Sequence, residues 1–123
     1  GLSARSAASA ARSRLENSQQ NAVVYERQLA QQVRTALADL EALAQQREPA
    51  QLLVSATEDV VASYLRQYQI GKKNWLDVLN AVRESTQATY GAVDVTSSSE
   101  SLQLRLMLLT GQLSTQNLSL VHD

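Results

Sequence analysis

The chain has no cysteine and no phenylalanine, and only one proline, one tryptophan and one histidine among its 123 residues. Without cysteine there are no disulfides, no thiolate metal sites and no thiol nucleophiles. A single histidine, His122, leaves no way to assemble a histidine-based metal cluster, and it is expected to be a solvated side chain in a polar tail. Aromatic residues make up 4% of the chain, so large rings cannot dominate a core. Neither sign of charge prevails: the formal net charge is −1, which weighs against nucleic-acid binding. No apolar run approaches the roughly 20 residues that span a bilayer. Gly1–Arg14 carries three arginines with no apolar stretch behind them, so no signal peptide is read here, and an exported protein with this sequence would be a fragment or a mature form. No nucleophile elbow, phosphate loop or Ser/His/Asp arrangement is visible. No catalytic residue, no metal and no cofactor is therefore expected.

What the chain has in quantity is alanine, leucine, glutamine and serine. Small side chains on long helices suit close helix–helix contact, and charges of both signs scattered along the sequence suit solvated helix faces. Residues 3 to about 47 read as one helix. From Leu29 a seam appears at Leu29, Val33, Ala36, Leu40 and Leu43, the 4-3-4-3 spacing of a coiled-coil face. Pro49 interrupts it. A kinked or briefly broken helix that keeps its direction is expected, because no glycine or turn cluster flanks the proline. The seam is then expected to resume through Leu53, Thr57, Val60, Tyr64 and Tyr68.

Around residue 70 helix chemistry stops and restarts. Gly71 can take the left-handed conformation that closes a helix. Lys72 and Lys73 suit the carbonyl end of that helix. Asn74 is a good N-cap, and Asp77, three residues on, can meet the first-turn amides of the next helix. Beyond the turn, Trp75, Leu76, Leu79, Val82 and Thr86 continue a helical pattern, with Trp75 expected to pack at the tip. Tyr90–Ser99 is a weak patch, since Gly91 and the β-branched and serine residues lower helix propensity; fraying, a bend or a register change is expected there. Leu102, Leu106, Leu109 and Leu113 restore the pattern. Gly111 falls where a C-terminal cap would lie, and residues 114–123 read as a polar, irregular tail.

The fold expected from these features is all-α: a long antiparallel coiled-coil hairpin with a descending arm 3–69 kinked near Pro49, a tip 70–74 and an ascending arm 75–111. A two-helix hairpin of this length buries too little surface to stand alone, so its outer faces are expected to meet other helices.

Tyr68-x-x-Gly71-x-Lys73-x-x-x-Asp77-Val78-Leu79-Asn80-Ala81 resembles the helical-hairpin tip in the second repeat of the TolC family of outer-membrane efflux and type I secretion channels. Gly1-Leu2-Ser3 looks like the family's junction after a membrane strand. The small-residue helix, the Val33…Leu37…Asp39-Leu40 region and the leucine-rich run ending at Gly111 follow in the family's order. The run Lys73-Asn-Trp-Leu-Asp-Val-Leu-Asn80 is similar to members that serve type I secretion of large adhesins.

The resemblance implies the periplasmic helical part of a homotrimeric exit duct. The barrel strands in the outer membrane and the first repeat would lie outside this chain, and the partners would be a periplasmic adaptor and an inner-membrane transporter. It implies a mechanical gate at the tip, with Tyr68 and Lys73 in the closing network, Gly71 in the turn, and Asp77 and Asn80 at the tunnel mouth. The family's best-studied member has arginine where this chain has Lys73, so the bidentate fork is lost. It is acidic where this chain has Asn80, which leaves one carboxylate ring from this repeat instead of two. Lys72, Trp75 and Leu76 would face the adaptor. Read without the family, Asp77 is a helix cap, Tyr68 a seam residue, and Lys72 and Lys73 are helix-end charges. The rival reading is another helical interaction module, such as the hairpin of a periplasmic adaptor, which β segments on both sides would mark. A helical signalling bundle is a third, which a transmembrane segment just outside the helices would mark.

Overall fold

The computed structural model describes residues 1–122, without the side chains of Leu120 and His122; the reading of His122 as a solvated side chain and the last residue of the tail fall outside the described residues. The chain is all-α, two long helices packed as a hairpin. Helix α1 spans Leu2–Gln69 and α2 spans Trp75–His122. Pro49 lies inside α1, so it neither ends the helix nor starts a new one.

Two compact units make up the chain, one Ala38–Leu104 and the other Gly1–Leu37 with Arg105–Asp123. In the unit that contains the turn, the covered side chains of α1 that share one spacing are Leu40, Leu43, Ala50, Val54, Thr57, Val61 and Tyr64. Those of α2 are Val78, Ala81, Ser85, Ala88, Ala92, Val95, Ser99 and Leu102. Both sets step by alternating threes and fours, if the exposed Arg47 is counted in the α1 frame, as a heptad seam requires. The deepest positions are alanines: Ala81, Ala88 and Ala92 are at most 7% exposed.

In the other unit, Ala22, Glu26, Leu29, Val33 and Ala36 of α1 and Leu106, Leu109, Leu113 and Gln116 of α2 are the covered positions of the same spacing. There the Gln116 side-chain amide donates to the Ala22 carbonyl at 3.5 Å.

Two expectations are corrected by this seam. After Pro49 it runs through Ala50, Val54 and Val61 in place of Leu53 and Val60, while Tyr68, four residues after Tyr64, keeps the frame but is exposed at the end of α1. The frame is kept across the proline because seven residues still separate Leu43 from Ala50. After the turn, Leu76, Leu79 and Val82 are helical as expected but exposed, and the in-chain partner is met by Val78, Ala81 and Ser85. No break or register change occurs at residues 90–99: the helix is continuous and Ala88, Ala92, Val95 and Ser99 keep the frame. The packing of these flanking positions offsets the low propensity of Gly91.

Gly111 does not cap α2 either. The helix runs on to His122, with the Thr115 hydroxyl bonded to the Gly111 carbonyl at 3.0 Å. Residues 114–122 are thus helical where an irregular tail was expected.

Gly91 is exposed, and a Cβ built there meets nothing within 4 Å. Gly91→Ala is therefore expected to stabilise the chain by about 0.5–1 kcal/mol, the helix penalty of glycine, read as a rise in the midpoint of thermal unfolding followed by circular dichroism.

Candidate functional site: the hairpin tip and its flanks

The tip is built from two interlocking caps. Gly71 has φ +79°, a left-handed conformation that costs other residues roughly 1–2 kcal/mol. Its N–H donates to the Tyr68 carbonyl at 3.1 Å, and the Lys72 N–H donates to the Gln67 carbonyl at 2.8 Å. These two bonds form a Schellman motif, which satisfies carbonyls that the end of α1 would leave open. Gln67 takes a second amide, from Lys73 at 3.3 Å. Its side chain donates to Ser63 Oγ at 3.0 Å.

Helix α2 opens with a reciprocal capping box. The Asp77 N–H donates to Asn74 Oδ1 at 2.9 Å, and the Asn74 N–H donates to Asp77 Oδ2 at 3.2 Å. Each side chain thus satisfies the other residue's amide, and the carboxylate lies at the positive end of the helix dipole. Only Lys72 and Lys73 separate Gly71 from Asn74, so the reversal of direction is fixed by hydrogen bonds at both ends.

The sequence-derived site residues are distributed around this frame. Gly71, Asn74 and Asp77 take the turn and cap roles read from their chemistry. Tyr68 is 48% exposed on the last turn of α1. Lys72 and Asn80 are exposed. Trp75 does not pack at the tip: it is 64% exposed, and Leu76 beside it is 50% exposed. As the first residue of α2, Trp75 precedes the seam, which begins at Val78.

Lys73 folds back onto α1. Its ammonium lies over the ring of Tyr64, 4.4 Å from the centroid, within cation–π range. Tyr64, one turn before Tyr68, was read from sequence only as a seam residue. The signal for its second role was the chain reversal at Gly71, which returns residue 73 to the side of α1 that carries Tyr64.

A second feature flanks the seam. On α1, the residues one position before the seam are Gln46, Pro49, Leu53, Ala56, Val60 and Ser63, all uncharged. On α2, the residues one position after the seam are Leu79, Val82, Thr86, Thr89, Val93 and Thr96, also uncharged, with Trp75 one step ahead of them. Thr86, Thr89 and Thr96 donate their hydroxyls to the carbonyls of Val82, Ser85 and Ala92 at 2.9–3.2 Å. Their polar atoms are thereby satisfied within the helix.

The two stripes lie on opposite flanks of the hairpin. Pro49 and Leu53 border a groove whose other wall is Glu84, Gln87 and Gly91, the residues one position before the α2 seam. The α2 stripe, one position after it, faces the other way.

Among the described residues, no group of three or more His, Cys, Asp or Glu could hold a metal ion, and no helix is long and apolar enough to cross a membrane.

Gly71→Ala is expected to destabilise the chain by about 1–2 kcal/mol, and Asn74→Ala by about 0.5–2 kcal/mol. Hydrogen exchange at the Lys72 and Asp77 amides should rise in the respective variants. Gly71→Ala is thus opposite in sign to Gly91→Ala, although a Cβ at either glycine meets open space.

No protein-family model, no curated protein and no solved structure matches the chain.

Proposed function

We propose that this hairpin is the periplasmic helical part of a trimeric outer-membrane exit duct of the TolC kind, serving type I secretion or efflux. The tip acts as a mechanical gate and as the place where a periplasmic adaptor docks. No bond in a substrate is made or broken.

The observation that carries this reading is the pair of uncharged stripes on opposite flanks. A two-fold dimer needs one self-complementary patch. A ring needs two different surfaces on each unit, joined head to tail. Leu53 and Val60 on one flank, and Leu79, Val82 and Val93 on the other, are between 39% and 56% exposed. Apolar positions in line at heptad spacing, without a charge among them, are what a neighbouring helix would cover. With a homologous first repeat in each of three chains, such hairpins alternate around one axis.

The tip supports the gating role through its construction. Two caps hold the turn rigidly, while Tyr68, Ile70, Trp75 and Leu76 are left exposed at the end of the hairpin. A rigid end with uncovered apolar side chains suits contact with other tips and with an adaptor, and Lys72 adds a charge to that surface. Closure would come from contacts of Tyr68 and Lys73 around the three-fold axis, with Asp77 at the mouth. Opening would come from a shift of whole hairpins when the partners engage.

The gate is tested in the full-length channel. Lys73→Ala and Tyr68→Ala are each expected to raise single-channel conductance in planar bilayers; unchanged conductance in both removes the latch. The flanks are tested separately with Val82→Glu. That residue lies outside the seam, so the helix content of the 123-residue chain should be unchanged, while the full-length trimer should dissociate on native gels.

A further inference from the structure

We propose that Tyr64 is the positioning residue of Lys73: its ring parks the lysine cation on the cation's own hairpin and sets where that charge rests before it meets any acceptor outside. The inference rests on the reading of Lys73 as a tip latch but assigns a partner that the reading does not contain. The latch was drawn from Tyr68 and Lys73, and the ammonium lies instead over Tyr64.

Three features of the turn send the side chain there. Its backbone is pinned, because the Lys73 N–H is held by the Gln67 carbonyl, three residues past Tyr64. The nearby carboxylate is directed elsewhere: between Asp59 and Glu84 the only acidic residue is Asp77, and the Asn74 N–H on its Oδ2 orients it to the N-terminus of α2. The ring is held in turn, since Tyr64 is a seam residue of α1, half-buried like Lys73 itself. A half-buried cation over a half-buried ring is attracted more strongly than an exposed pair, because less water screens the contact.

The consequence is a choice for the cation. While it lies over Tyr64 it is not extended toward a neighbouring hairpin. Pairing with a carboxylate or another anionic acceptor there requires it to leave the ring. The strength of the Tyr64 contact therefore weights the resting state of the tip, and Tyr68 is left free to make contacts of its own.

The experiment is proton NMR of the 123-residue chain, with Lys72 as the internal reference because it is exposed one residue away. The Lys73 ε-methylene protons should lie upfield of those of Lys72 through the ring current of Tyr64. Tyr64→Phe keeps the ring and should keep the displacement. Tyr64→Leu keeps an apolar seam residue and should abolish it. Tyr68→Leu should leave it in place.

A Lys73 signal coincident with that of Lys72 in the unmodified chain overturns the proposal. So does a displacement that survives Tyr64→Leu, or one that Tyr68→Leu removes as completely as Tyr64→Leu. Conductance of the Lys73→Ala channel reads the latch independently. If it is unchanged while the Lys73 displacement depends on the Tyr64 ring, the latch reading fails and the assignment of Tyr64 is supported.

Discussion

The structure depends on a seam of small side chains. In the unit around the turn, the positions where α2 meets α1 most deeply are Ala81, Ala88 and Ala92. Small residues let two helices approach closely, but each removes little apolar area from water. A buried methylene-sized group contributes only about 0.8 kcal/mol, and ordering each residue costs more than that. The seam therefore fixes register and direction without supplying much stability. The larger apolar side chains, among them Leu53, Leu79, Val82 and Val93, stand outside it. Covering those side chains would add stability to the hairpin, and this links the packing to the proposed assembly.

That division also explains which parts of the fold were legible in the sequence. Leu102, Leu106, Leu109 and Leu113 recur at four-three-four spacing and are the seam, so periodicity located them even though Leu104, Met107 and Leu108 stand exposed among them. Between residues 75 and 96 two stripes run side by side, one of small residues and one of leucine, valine and threonine. Reading by hydrophobicity selects the larger residues and so selects the outer stripe. In α1, Leu53 is larger than its neighbour Val54, while Val60 and Val61 are identical, so hydrophobicity favours the outer position in one case and decides nothing in the other. Local propensity misled in another way: Pro49, Gly91 and Gly111 each disfavour helix, yet all three lie inside one. The heptad frame continues through Pro49 and Gly91, and helical packing outweighs a single residue's cost of about 1–3 kcal/mol.

The tip was legible because its chemistry is local. Gly71, Asn74 and Asp77 act through hydrogen bonds spanning three to five residues, and sequence spacing specifies such bonds. The contact between Tyr64 and Lys73 was not legible. It spans nine residues across a reversal of direction, and no helical period encodes that distance. The tip therefore combines a rigid scaffold, readable from its caps, with a cation whose placement depends on the three-dimensional return of the chain.

The central claim is that both flanks of the hairpin are covered by neighbouring helices in the assembled protein. The absence of cysteine from this chain makes thiol accessibility the most direct measurement. Single cysteines placed at Leu53, Val60, Leu79, Val82 and Val93 in the full-length protein would be challenged with a water-soluble maleimide. Asp59 and Arg83, exposed positions off both stripes, would serve as references. The account predicts slow labelling at all five stripe positions and fast labelling at the two references. Labelling of the stripe positions as fast as at Asp59 and Arg83 would contradict it.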